Sequence, residues 1–212
     1  MAKKKKQSMM KDAIILCMIS LIAALALGFV NEITKDRIAF LAAQAKAEAY
    51  REVYPEAVGI VDVENNEILA TTLEDAADIL AAGGFSNTTI NEVCLVQDAD
   101  MNHVGYVASV TTKGYNMLTL TFGYTTDGTC TGLAFLSIEE TPGFGLKANE
   151  PEFKNQFAGN KGDYFGYEGN EAGMAKINAI TGATETTKGV VNGVNAGICF
   201  IEELQTRLGG AN

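Results

Sequence analysis

Residues Met174–Leu208 read MAKINAITGATETTKGVVNGVNAGICFIEELQTRL. We read Met174 to Ile180 as a short strand and Thr181-Gly182 as a tight turn. From Thr184 onward, Val190, Val191, Val194, Ile198, Ile201 and Leu204 recur on one face at helical spacing, which predicts a helix from about Thr184 to Leu208. A strand, a glycine turn and a helix start put Thr184 where the first backbone N–H groups of the helix have no internal partner. Such a place attracts an anion, through the free N–H groups and the helix dipole together. Gly182 and Ala183 are small enough for a bulky group to approach the backbone. A plainer reading stays open: Thr181 or Thr184 is an N-cap whose hydroxyl serves the helix alone.

Upstream lies Glu140-Thr141-Pro142-Gly143-Phe144-Gly145, followed by Leu146. Proline with two glycines predicts a defined turn with exposed backbone, and Phe144 and Leu146 offer apolar surface to a flat ring. A simple β-turn accounts for the same residues. The stretch opens a long loop from Glu139 to Glu171, a length that in a compact domain goes with function or disorder. Its aromatics, Phe144, Phe153, Phe157, Tyr164, Phe165 and Tyr167, predict an ordered, packed one.

Before the loop the chain reads as β. Ile90–Leu95, Val104–Thr111 and Met117–Tyr124 are rich in Val, Thr, Ile and Tyr, and Thr126-Asp127-Gly128 marks a hairpin before a strand from Cys130 to Ile138. Leu73 to Ala82 predicts a short helix ended by Gly83-Gly84. The fold class is therefore α+β.

At the N-terminus, Ala13–Val30 (AIILCMISLIAALALGFV) has no charge over eighteen residues, close to the roughly 17–25 that cross a bilayer. The lysines before it predict a cytoplasmic head over 1–12, a transmembrane helix over 13–30 and an extracytoplasmic remainder. Residues 31–55 read as a helical extension leading to a domain over 56–212. A cleaved signal, with Ala24-Leu25-Ala26 as the cleavage site, is the alternative.

Met1–Asp12 carries five lysines and one aspartate, or +4; with a net charge of -10, the remainder sums to -14 (-10 minus +4). So acidic a body repels nucleic acid phosphates, and no nucleic-acid partner is expected. Cys17, Cys94, Cys130 and Cys199 form no C-x-x-C pair, and His103 in DADMNHVG has no companion ligand. We expect small buried thiols, at most one disulfide among the outer three, a surface histidine and no metal site.

Taken in this order behind one anchor, Gly114-Tyr115, ETPGFG and TGAT resemble the FMN-binding domain family, most closely the G components of Rnf membrane complexes and, by extension, the C components of the sodium-translocating NADH:quinone reductases. The resemblance covers essentially the whole chain. It implies FMN joined by a phosphoester to Thr184, with Thr181, Gly182 and Ala183 as the recognition turn for a flavin transferase that uses FAD. It further implies that Glu140, Thr141, Pro142, Gly143, Phe144, Gly145 and Leu146 lie against the flavin. The partners implied are the flavin and iron–sulfur subunits of a complex that couples electron flow to Na+ or H+ movement. The acidic residue that leads the family motif is Asn178 here. Two alternatives belong to other classes: an anchored flavin reductase acting on an outside acceptor, and a non-redox binding module in which Thr184 only caps a helix.

Overall fold

The computed structural model describes residues 2–61, 66–161, 164–167 and 174–209, with side chains from Met10 onward. The side chains of Lys3–Lys6 and residues 168–171 of the long loop lie outside the described residues. The chain divides into two compact units, Met1–Ala45 and Lys46–Asn212.

The first unit is the greater part of one uninterrupted helix, α1 (Ala2–Val53). Its large apolar side chains from Ile14 to Val30 are all more than half exposed. A helix apolar on every side and covered by nothing is what a bilayer interior accepts and water does not. Ser20 returns its hydroxyl to Leu16 O at 2.9 Å, so that polar group is satisfied inside the helix. Among the described residues α1 is the one helix long and apolar enough to cross a membrane, which is compatible with a membrane anchor.

The second unit is built on an antiparallel five-stranded meander, β1 (Gly59–Val61), β2 (Thr89–Gln97), β3 (His103–Lys113), β4 (Met117–Thr125) and β5 (Cys130–Ile138), in that spatial order. Period-2 alternation sends Leu118, Leu120, Phe122 and Tyr124 of β4 to one face with Tyr106, Ala108 and Val110 of β3. The predicted face of the last helix, α5 (Thr184–Gly209), meets them: Val190, Val191, Val194, Ile198, Ile201 and Leu204 are all buried. Each such side chain contributes roughly 1.5–3 kcal/mol on leaving water. On the opposite face, the end of α1 packs Ala49, Tyr50 and Val53 against Cys94, Val96 and Val107. There Tyr50 donates to Glu92 at 3.1 Å, and Lys46 pairs with the same carboxylate. Burial, reinforced by Cys94 and Glu92, holds the Tyr50 phenol far above its ordinary range.

Glycines let α5 lie close to the sheet. A Cβ at Gly189 would stand 2.7 Å from Gly114 Cα, and one at Gly193 2.9 Å from Thr112 Cγ2. Thr112 also donates to Gly189 O at 3.2 Å. The first turns of α5 are thereby pressed against the tip of the β3–β4 hairpin, a contact that positions the site described below.

Several elements differ from expectation. The helical segment before the sheet begins earlier, at Glu67, because Asn66 Oδ1 caps it by accepting from Leu69 N at 3.0 Å; it breaks at Asp75 into α2 (Glu67–Glu74) and α3 (Ala76–Ala82). The strand expected over Met174–Ile180 shrinks to β7 (Ala175–Lys176), parallel to β6 (Phe165–Gly166). Asn195, buried on α5, occupies the other backbone groups of Phe165, accepting from its N at 2.8 Å and donating to its O at 2.9 Å. Within the long loop, a 3-10 turn (Gly145–Asn149) and α4 (Pro151–Lys154) form, and Phe153, Phe157 and Phe165 are buried. No disulfide joins any two of the four cysteines: Cys94 and Cys130 are buried, Cys199 half-buried and Cys17 exposed. Burial pushes Cys130 up to about 12, which makes it an inert packing group.

Candidate cofactor site

Two reverse turns face each other at the N-terminus of α5. In the first, Phe144 N donates to Thr141 O at 3.1 Å, with Pro142 and Gly143 central and Gly143 at φ +78°. In the second, Ala183 N donates to Ile180 O at 2.9 Å, with Thr181 and Gly182 central and Gly182 at φ +79°. Both have the pattern of a type II turn, which needs φ > 0 at its third residue and therefore selects glycine there. The turns touch: a Cβ at Gly182 would lie 3.2 Å from Phe144 Cδ1.

Between them opens a cavity of about 460 Å³ lined by Tyr115, Glu140, Thr141, Phe144, Gly145, Gly182, Ala183, Thr184, Glu185 and Thr186. Its volume is in the range of small-molecule sites, roughly 300–1,000 Å³. Tyr115 and Phe144 present exposed rings, at 70 % and 53 % exposure. Opposite them, Thr187 N is the first α5 amide to find a backbone acceptor, Ala183 O at 3.0 Å. The N–H groups of Thr184, Glu185 and Thr186 have none among the described residues, as the geometry of a helix start requires.

The threonines have divided roles. Neither Thr181 nor Thr184 makes a side-chain hydrogen bond among the described residues, so neither acts as the N-cap that the sequence left open. Thr187 does the local work. Its buried hydroxyl accepts from Ile180 N at 3.0 Å and donates to Ala183 O at 3.1 Å, fixing the turn from inside. Thr186 is 1 % exposed, has no hydrogen-bond partner among the described residues and lines the cavity. Thr184 is exposed there, with a free hydroxyl.

Of the residues singled out from sequence, Glu140, Thr141, Phe144, Gly145, Gly182, Ala183 and Thr184 come together in this cavity. Pro142, Gly143 and Leu146 support the facing turn without lining it. Thr181 points the other way, into a separate groove of about 420 Å³ with Lys147, Glu150, Gln156 and Asn178. Gln156 clamps the backbone of Asn178 there, accepting from its N at 2.7 Å and donating to its O at 3.4 Å. Tyr115, met in the sequence only as half of Gly114-Tyr115, and Thr186 also line the cavity at Thr184. For Thr186 a signal existed in its place two residues after Thr184, on the side of Val190 and Val194.

The residues suit a flavin phosphate. Free N–H groups and two hydroxyls stand at a helix start, glycines leave a cradle that any Cβ would narrow, and two aromatic rings flank the opening. No cluster of three potential metal ligands exists among the described residues.

Comparison with known proteins agrees. Residues 114–198 match the family model of the FMN-binding domain, and residues 1–53 that of the RnfG N-terminal region. The G component of the Na+-translocating ferredoxin:NAD+ oxidoreductase complex of Acetobacterium woodii is 33 % identical over 92 % of this chain and 92 % of its own. Its counterpart in the proton-translocating complex of Clostridium ljungdahlii is 33 % identical over 50 % of this chain and 57 % of its own. Among solved structures, NqrC of Shewanella oneidensis is similar at 22 % identity and TM-score 0.44, over 54 % of this chain and 61 % of that one. The C component of the Na+-translocating NADH-quinone reductase of Parabacteroides distasonis is similar at 24 % identity and TM-score 0.43, over 68 % and 77 %. The chain belongs to the RnfG family of ion-translocating ferredoxin:NAD+ oxidoreductase (Rnf) complexes and contains an FMN-binding domain.

Proposed function

We propose that this chain is an electron-carrying subunit of a membrane-bound Rnf complex, with FMN joined through its phosphate to Thr184 Oγ1. The observation that carries the reading is the free Thr184 hydroxyl, set beside three unsatisfied helix N–H groups and the inward hydroxyl of Thr186 in one cavity. When bound, FMN supplies reversible one- and two-electron transfer. The residues of the chain hold and orient it. The α5 N-terminus and Thr186 would receive the phosphate, and Tyr115 and Phe144 would flank the ring.

For attachment, the Thr184 oxygen would displace AMP from the FMN phosphate of FAD, forming one P–O bond as another breaks and giving up its proton. A separate flavin transferase would run this step, gripping the turn from the Asn178–Thr181 side. The apolar part of α1 would span the membrane with the basic head inside, leaving the FMN-binding domain on the outer face beside the flavin and iron–sulfur subunits. The domain limits proposed with it are 1–12, 13–30, 31–55 and 56–212, with the last turns of the helical extension packed on the sheet of the domain. A covalent link would keep the cofactor from being lost where free FMN cannot be replaced.

Intact-protein mass spectrometry with in-gel flavin fluorescence tests the reading on chain purified from native membranes. The expected result is an adduct with the mass of FMN less water, lost in Thr184→Ala. An unmodified native chain would overturn it, and an adduct surviving Thr184→Ala would move the attachment elsewhere.

A further inference from the structure

Glu140 is a carboxylate at 5 % exposure with no ion-pair partner among the described residues. Its two oxygens face different things. Oε1 accepts from the backbone N of Tyr115 at 3.0 Å and of Asn116 at 3.2 Å, across the tip of the β3–β4 hairpin. Oε2 has no hydrogen-bond partner among the described residues, and Glu140 lines the cavity beside Thr186.

The surrounding glycines are cut to this carboxylate. A Cβ at Gly114 would stand 2.6 Å from Oε1; one at Gly145 would stand 2.7 Å from Oε2 and 2.6 Å from Thr186 Oγ1. Two independent backbone segments thus forgo side chains where the carboxylate sits. Two backbone N–H groups hold one oxygen in place, which leaves the other at the cavity wall.

We propose that Glu140 sets both the geometry and the reduction potential of the flavin site. Through Oε1 it pins the hairpin tip, so that Tyr115 stands at the cavity mouth. Through Oε2, beside Thr186 Oγ1, it presents a carboxylate to the bound flavin, opposing the arrival of electrons and lowering the midpoint potential. The inference rests on the flavin reading above. Glu140 is a positioning and tuning residue, not a group that forms or breaks bonds.

Glu140→Gln separates the two roles, because the amide oxygen still accepts from Tyr115 and Asn116 while the charge is gone. In the full-length chain isolated with its flavin, Glu140→Gln should load fully and show a higher midpoint potential in a spectroscopic redox titration. Glu140→Asp should keep the potential near that of the wild type. In the flavin-free Thr184→Ala background, hydrogen exchange at the Tyr115 and Asn116 amides should stay slow with Glu140→Gln and accelerate at least tenfold with Glu140→Ala. That second readout needs no cofactor. An unchanged potential in loaded Glu140→Gln overturns the tuning role, and so does failure of that variant to load, which would move the carboxylate into attachment. Exchange unaffected by Glu140→Ala overturns the pinning role. A wild-type chain without flavin would instead sink the parent reading, while the exchange experiment would still judge the pin.

Discussion

Replacing Gly182 by alanine tests whether the turn beneath Thr184 is set by backbone conformation. Gly182 sits at φ +79°, where an L side chain costs about 1–2 kcal/mol. Alanine also narrows the unfolded ensemble, returning about 0.4–1 kcal/mol, so the net loss is about 1 kcal/mol. For a domain of this size that lowers Tm by about 2–4 °C. The new Cβ would meet Phe144 Cδ1 at 3.2 Å, but that ring is 53 % exposed and can swing away. Stability therefore suffers little from the contact, whereas one wall of the cavity moves. Gly128→Ala is the matched control: φ is +88° and the nearest atom is Tyr124 Oη at 3.5 Å, in the distant β4–β5 hairpin. Thermal unfolding of the full chain in detergent should show similar falls for both variants, while in-gel flavin fluorescence drops only for Gly182→Ala. A Tm within about 1 °C of wild type for both would refute the backbone argument. Equal flavin loss in both would refute the link between this turn and loading.

Thr184→Ala should lose the flavin adduct yet melt within about 1 °C of unmodified wild-type chain, since an exposed side chain without hydrogen bonds contributes little to stability. Asn195→Ala should destabilise the domain by about 2–4 kcal/mol in denaturant titrations, because it strands both backbone groups of Phe165 in the interior; a change under about 1 kcal/mol would contradict that. Asp127 accepts from the hydroxyl of Thr125, from Lys161 at 2.9 Å and from the hydroxyl of Thr129 at 3.1 Å, and these hold it well below the usual carboxylate range. Its support is complete above the ordinary value of about 3.9 and is lost as pH falls below it. The Tm gap between wild type and Asp127→Asn should therefore begin to narrow, without closing, on going from pH 6 toward pH 3, and a gap that widens would reverse the sign of the argument.

Much of this architecture is legible from local chemistry, and the remainder depends on distant partners. Cys130–Ile138 forms a strand over the predicted span because β-rich residues follow an unambiguous hairpin turn. The face of α5 was readable from its valines and isoleucines, and both site turns from Pro142, Gly143 and Gly182. Gly59–Val61 escaped notice because three residues carry no periodicity, and they are strand only through pairing with Leu95–Gln97. Met174–Ile180 was overread, since its backbone from Asn178 onward is held by Gln156 and Thr187 instead of a neighbouring strand. The burial of Glu140 was hidden for a related reason. A carboxylate after a strand looks solvated until the hairpin tip from the preceding strands is folded over it.

The cavity draws on the hairpin at Gly114, the turn at Thr141 and the opening of the last helix, segments far apart along the polypeptide. None of them forms the site alone, and the final contributor is made last in synthesis. A transferase that needs the assembled turn would therefore act only on chains in which all three segments have docked. Under the attachment proposed above, the flavin would serve as a stamp of completed maturation, and the flavinylated fraction of a preparation would count its correctly folded molecules.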